Sequence, residues 1–381
     1  MRLKWLDGIK GLACFAVLWH HFLLAFYPGQ YNGSMQPGII DYVNNPLSFI
    51  VNGNFMVTLF MVASGVVAGF IYLRKRDIKA VIGVLPKRYI RLVIPTILIA
   101  VLVVIFTNCG VFCNLPVSLM TNSAYLASWY TTKVSLLDAL KSVLYSVWIS
   151  TDTTISGIFW VFPYFLWGYI LSVVLCVFAW KDTKGIIFFY VVAAIFTMYL
   201  NVYFGAFVCG VLIAYLFMQY GLADKKGIIK KIVAVILVVL GLYFGGYPSF
   251  VPATRYYGFL PDVSAFVSCN YAFWHVLGAV FLITGIWLSD FLQKIFELKF
   301  FTKLGEISYE VFLIHMLVLC TASCAVFSMI FTSTGKYNLA ALLSFVITNV
   351  LVYILACAYH FLCGKLYFSK ASKKKEKVDG K

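Results

Sequence analysis

Two adjacent histidines, His20 and His21, stand near the end of an apolar run that begins at Trp5 and carries Asp7 and Lys10 near its start. Inside a membrane span each of these groups needs a partner, a cavity or a task. Folded as a helix, the run brings Lys10 and His21 to one face about 16 Å apart, since eleven steps of about 100° nearly close three turns. Asp7 falls near that face, whereas His20 points elsewhere. The pattern predicts one polar stripe running from one membrane surface most of the way to the other. On it, His21 is placed to act as a general base, a proton relay or a structural hydrogen bonder. Adjacent helical histidines diverge by about 100°, so they chelate one metal poorly and no metal site is expected.

Other groups carry weaker signals. Arg88 and Arg91, in Lys87-Arg88-Tyr89-Ile90-Arg91 before Pro95, point the same way on a helix. They are spaced to clamp a phosphate with forked hydrogen bonds, or simply to hold lipid headgroups as a topogenic cluster. His315 follows Leu304-Gly305-Glu306-Ile307-Ser308-Tyr309-Glu310 and lies near mid-membrane, counting about 1.5 Å per residue. It either faces the same cavity as His21 or bonds structurally to a neighbouring helix. His275 and His360 lie nearer the membrane surfaces and carry less signal.

The elements that must position these groups are transmembrane helices. The 381 residues are 62% hydrophobic and only 12% charged, with a mean hydropathy of +0.93, which excludes a soluble globular domain. The expected fold is all-α and polytopic, with about ten spans near 6–27, 51–73, 91–109, 156–180, 185–201, 203–220, 230–247, 269–290, 304–331 and 339–362. The fifth and sixth are nearly fused around Asn201-Tyr203. The first span lacks a small-residue cleavage site and is expected to be retained. With both termini cytoplasmic, inside segments hold 25 of the 30 Lys and Arg residues, among them Arg2, Lys181, Lys184, Lys225 and the tail. Outside segments hold Lys133, Lys141, Arg255 and Lys336, and Lys10 lies within a span; the asymmetry matches the positive-inside rule. The net charge of +16 is thus mostly topology. The run Lys374–Lys377 reads as a solvated tail near anionic lipid, and no folded basic domain presents charge to nucleic acid. Residues 1–370 form the expected membrane domain and 371–381 a basic cytoplasmic tail. The largest outside segment, about 110–155, contains an amphipathic run, Leu136–Ile149, that either lies along the interface or re-enters the membrane. Cys109, Cys113 and Cys269 fall near the outer surface, where a disulfide is chemically permitted.

The order of several motifs resembles a known family. Leu6-Asp7-Gly8-Ile9-Lys10-Gly11-Leu12-Ala13 followed by His20-His21-Phe22 resembles the opening of the membrane-bound acyltransferase 3 family. Leu59-Phe60-Met61-Val62-Ala63-Ser64-Gly65 is similar to its second-span segment, and Arg88-Tyr89-Ile90-Arg91 to its paired-arginine motif. Leu304-Gly305-Glu306-Ile307-Ser308-Tyr309 with Leu313-Ile314-His315 resembles its late signature.

The resemblance implies a ten-span enzyme of the bacterial cytoplasmic membrane. Such an enzyme moves an acyl group, usually acetyl from acetyl-CoA, onto a hydroxyl of an extracytoplasmic or lipid-linked carbohydrate. It implies that His21 is catalytic, that Arg88 and Arg91 bind the acyl donor, and that Lys10 stands where the family has an arginine. Lysine keeps that charge but loses the planar fork. Asp7, His20, Ser64 and His315 are the supporting candidates. Acyl-CoA is the co-substrate, with no bound cofactor expected; membrane lipids and a glycan acceptor are the partners, and oligomerisation stays open. Two departures stand out. Phe159–Phe165 holds no acid where many members have a tryptophan followed by a glutamate, and Thr58 stands where aspartate is common. A transporter of a lipid-linked sugar or organic anion, using the histidines as proton relays, is the main alternative, and a catalytically retired sensor or scaffold is the third.

Overall fold

The computed structural model describes residues 3–28, 44–179, 185–224 and 226–376, and these contain helices and no strand. Nine helical stretches among them are long and apolar enough to cross a membrane. A further apolar helix of 15 residues, Ile186–Leu200, occupies the place of the fifth expected span. At about 1.5 Å per residue it measures about 22 Å, shorter than a bilayer core. The chain is an all-α, polytopic membrane protein. Its main helices are α1 (Lys4–Phe26), α2 (Gly53–Lys75), α3 (Ile78–Cys109), α4 (Tyr169–Ala179), α5 (Ile186–Leu200) and α6 (Val202–Tyr220). They continue with α7 (Ile228–Gly245), α8 (Asn270–Leu288), α9 (Lys299–Glu306), α10 (Ser308–Val318), α11 (Cys324–Thr334) and α12 (Tyr337–Glu376). Arg2, Lys181, Lys184, Lys225 and the tail from Lys377 onward lie outside the described residues.

Several boundaries differ from the sequence reading. The third span does not start at Arg91: α3 begins at Ile78 and runs through Pro86 and Pro95, so both arginines sit inside a continuous helix. Proline is tolerated there when neighbouring groups satisfy the backbone it disturbs. The ninth span starts later than expected: a break at Ile307 separates α9 from α10, and one continuous helical stretch, Ser308–Thr334, carries a π turn, Leu319–Ser323, between α10 and α11. In that turn the Ser323 hydroxyl donates to the Val318 carbonyl at 3.1 Å. Asn201 divides α5 from α6 as expected: its backbone is extended, and its side chain accepts from the Tyr203 amide at 3.1 Å. The stretch Gly157–Ala179 opens with a 3-10 turn, Gly157–Val161, and a π turn, Tyr164–Gly168, before α4.

The chain divides into two compact units, the first comprising Met1–Leu23, Gly29–Leu85 and Val161–Glu306. Its helices approach closely through small residues. The Gly65-x-x-x-Gly69 stripe of α2 meets Gly210 and Ala214 of α6, and a Cβ on Gly210 would stand 2.1 Å from the Val62 carbonyl oxygen. Without a water-driven hydrophobic force between helices, such backbone contact supplies the packing attraction. Gly210→Ala is therefore expected to destabilise the protein by about 1–3 kcal/mol through overpacking. Gly83→Ala, at a position with nothing within 4 Å, is the control. Thermal unfolding of the two variants in detergent checks this, and equal melting temperatures would remove the packing argument.

A second close approach joins two motifs that are nearly 300 residues apart. A Cβ on Gly11 would stand 2.4 Å from the Gly305 amide, and one on Gly305 would stand 2.1 Å from the Asp7 carbonyl oxygen. The opening glycines of α1 and the Leu304-Gly305 pair of α9 are thus backbone-to-backbone neighbours, which explains why both motifs carry glycine.

The second unit comprises Leu24–Pro28, Pro86–Trp160 and Ile307–Lys381. Here the segment after α3 does not stay at the Cys109 end. Asn114 donates to the Leu126 and Trp129 carbonyls at 2.9 and 2.7 Å, closing the first part of the segment on itself. The amphipathic run then forms a continuous helical stretch, Leu136–Ile149, with Ala139, Val143 and Val147 buried on one face. The Tyr89 hydroxyl donates to its Leu144 carbonyl, and the Tyr89 ring meets Trp148 edge-on at 5.6 Å. Tyr89 and Cys109 are 20 residues apart on α3, so the run reaches a level about 30 Å from where the chain left that helix. The segment thus returns along α3 from its Cys109 end toward its Arg88 end. Lys141, three residues before Leu144, lies toward that Arg88 end. The reason is apolar: the buried face of the run leaves the surface for a helix wall.

Candidate functional site

The candidate residues fall in both units. Asp7, Lys10, His20, His21 and Ser64 belong to the first, and Arg88, Arg91 and His315 to the second.

In the first unit α1 is unbroken from Lys4 to Phe26, so the helical phase linking Lys10 and His21 holds. Asp7, Lys10 and His21 are half-buried. Between the last two, Ala13, Cys14, Val17 and Leu18 are buried at 2%, 1%, 2% and 0% exposure. The stripe is accordingly accessible at its two ends and enclosed in its middle, a correction to the continuous polar face expected from periodicity. Phase fixes which residues share a face; it says nothing about what covers them.

The two histidines differ in environment. His20 is buried, and its Nδ1 lies 3.1 Å from the Val51 carbonyl oxygen; a carbonyl only accepts, so Nδ1 carries the proton. Gly53 packs flush on the same ring, since a Cβ there would stand 2.7 Å from His20 Cδ2. His20 thus ties α1 to the start of α2. Next to Val51, Asn52 caps α2 by accepting from the Phe55 amide at 3.2 Å. Its amide nitrogen donates to the Gly245 and Tyr247 carbonyls at 3.1 and 3.0 Å, and His275 Nε2 donates to Tyr247 at 2.8 Å. This fully buried network joins the ends of α2, α7 and α8 beside His20. Composition gave it no signal; Asn52 ahead of an apolar run, in an N-cap position, was the available clue.

Ser64 donates to the Phe60 carbonyl at 2.8 Å, and Thr58 donates to Phe55 at 2.8 Å while fully buried. Both hydroxyls serve their own helix. The threonine fits a site with no room for the solvation a carboxylate needs. Cys109, Cys113 and Cys269 are thiols, not disulfide-bonded.

In the second unit Arg88 is half-buried and Arg91 exposed, one turn apart on α3. His315 is fully buried, and its Nδ1 donates to Phe312 at 2.7 Å and to Val311 at 3.2 Å, both in its own helix. The sequence passed over three tyrosines that hold α3. Besides Tyr89, the Tyr309 hydroxyl donates to the Leu92 carbonyl at 2.8 Å and the Tyr359 hydroxyl to the Pro95 carbonyl at 2.5 Å. Pro95 was their one legible sign, because a proline within a span calls for donors from neighbouring helices.

Comparison with protein families gives a match over residues 3–360 to an acyltransferase domain. The chain belongs to the acyltransferase 3 family. It is a multi-pass membrane protein of an acyltransferase family, and the motifs of α1, α2, α3, α9 and α10 all fall within the matched region. No curated protein and no solved structure matches the chain.

Proposed function

We propose that this protein transfers an acyl group, acetyl in the simplest case, from cytoplasmic acyl-CoA to a hydroxyl of an extracytoplasmic or lipid-linked carbohydrate. The observation that carries this reading is the acyltransferase-domain match over nearly the whole chain. The different surroundings of His20 and His21 support His21 as the base. His20 is committed to the Val51 carbonyl and packed under Gly53, whereas His21, half-buried on the Lys10 face, is the histidine accessible to a reactant.

In this reading Arg88 and Arg91 hold the phosphates of coenzyme A, and Lys10 adds charge on the same cytoplasmic side. The extended pantetheine arm, roughly 20 Å long, carries the thioester toward His21. Neutral His21 takes the proton of the acceptor hydroxyl as its oxygen attacks the thioester carbonyl. The carbon–oxygen bond forms, the carbon–sulfur bond breaks, and the imidazolium returns its proton to the leaving thiolate. Both termini lie in the cytoplasm of a bacterial cell, in agreement with the concentration of Lys and Arg in inside segments. Placing Lys141 at the Arg88 end strengthens that asymmetry.

The test is transfer itself. Purified protein in lipid nanodiscs, given radiolabelled acetyl-CoA and membrane glycan extract, is expected to move label into the carbohydrate fraction and release coenzyme A stoichiometrically. Flux of sugar or organic anion into sealed proteoliposomes of the same protein, without coenzyme A release, would instead establish the transporter.

A further inference from the structure

Pro95 has no N–H to offer the Arg91 carbonyl, so α3 lacks one backbone bond in the turn just after its arginine pair. That turn receives two outside donors. Tyr309, on α10, bonds Leu92 at 2.8 Å, and Tyr359, on α12, bonds Pro95 at 2.5 Å. The two tyrosines are also linked through their chain neighbours: Glu310 Oε1 accepts from His360 Nδ1 at 2.8 Å. Glu310 is buried at 7% exposure, so its carboxylate is costly to place there without such a partner. Consecutive residues Tyr309-Glu310 and Tyr359-His360 therefore form a four-residue clasp: two hydroxyls grip the weak turn and one charge-assisted contact joins the helices that deliver them.

We propose that Tyr309 and Tyr359 are positioning residues for the acyl donor, holding α3 at its Pro95 turn and thereby aiming Arg88 and Arg91. This rests on the donor role assigned to the arginines above. The lever is long. Arg91 precedes Pro95 by four residues and Arg88 by seven, about 6 and 10 Å along the axis, so a change of about 20° at the turn displaces Arg88 by about 3.5 Å. Forked contact with a phosphate does not survive such a shift. Tyr89 fixes the same segment from the other side through Leu144, leaving the turn between residues 89 and 95 bounded at both ends.

The experiment measures equilibrium binding of labelled coenzyme A to the full chain in nanodiscs, with melting temperature followed alongside. The variants are Arg88→Ala, Arg91→Ala, the double hydroxyl deletion Tyr309→Phe/Tyr359→Phe, and the latter combined with Arg91→Ala. Each Tyr→Phe change keeps the ring and its packing and removes only the donor. The double deletion is expected to weaken coenzyme A binding about tenfold, and combining it with Arg91→Ala should weaken binding by clearly less than the product of the two separate losses, because residues acting through one contact are not additive. Weakened binding in the arginine variants with full affinity in the double deletion would overturn the clasp and leave the donor site standing. Fully additive losses would overturn it too, by marking the hydroxyls as general stabilisers. Unchanged affinity in both arginine variants would remove the donor site itself and the proposal with it.

Discussion

Replacing His21 with alanine is expected to lower acyl transfer by about 10³-fold or more, the upper part of the range for loss of a positioned general base. Coenzyme A should still bind, because in the proposed mechanism His21 acts on the acceptor hydroxyl and the arginines hold the donor. The expected contrast with His20 is sharp. His20→Ala removes a bond to Val51 and leaves a void under Gly53, so it should lower the melting temperature while retaining much of the activity. His20→Asn, whose amide also has an N–H to donate to the Val51 carbonyl, should recover part of the lost stability. Turnover, coenzyme A affinity and unfolding temperature, measured on the same preparations, separate the two roles. An inactive His20 variant beside an active His21 variant, at equal stability, would reverse the assignment.

What the sequence made legible was periodic and local. Apolar run length placed the spans, Asn201 marked the break between α5 and α6, and helical phase put Lys10 and His21 on one face. What it hid was long-range. Nothing in composition or spacing pairs Gly11 with Gly305, Tyr309 with Leu92, or Tyr359 with Pro95, because such contacts depend on which helices become neighbours. Hydropathy also left open whether the amphipathic run within 110–155 lies along the interface or re-enters. Its polar residues are interleaved with a buried apolar face at Ala139, Val143 and Val147, and a window average conceals that pattern. The enclosed middle of α1 is a third case, where burial of Ala13–Leu18 is decided by neighbours and not by the helix itself.

These hidden contacts also account for the family motifs in physical terms. The motif glycines Gly8, Gly11 and Gly305 are places where backbones touch, and Ser64 bonds its own helix beside the Gly65 crossing. Asp7, Lys10 and His21 in the first unit and Arg88 and Arg91 in the second are among the motif residues whose polar side chains stay partly or fully accessible.

Arg88→Ala and Arg91→Ala are each expected to weaken coenzyme A binding about 10- to 100-fold, and the double variant to leave binding barely detectable. The magnitude follows from the loss of charge-assisted hydrogen bonds, worth about 1.5–3 kcal/mol each. Arg→Lys should recover only part of the affinity, since lysine restores the charge but not the two parallel donors that match a phosphate. Salt discriminates further. Half-buried Arg88 should keep more of its contribution at 0.5 M salt than exposed Arg91, because screening acts most strongly on charges open to solvent. The group contacted can be read with ligand fragments. If the arginines hold the nucleotide phosphates, 3′,5′-ADP should compete with coenzyme A on the native protein and lose that ability in either alanine variant, whereas pantetheine should compete equally on all three. A loss of pantetheine competition alone would move the arginines from the nucleotide to the acyl arm. Unchanged coenzyme A affinity in a well-folded double variant would return the pair to the simpler role of a cytoplasmic charge cluster fixing the orientation of α3.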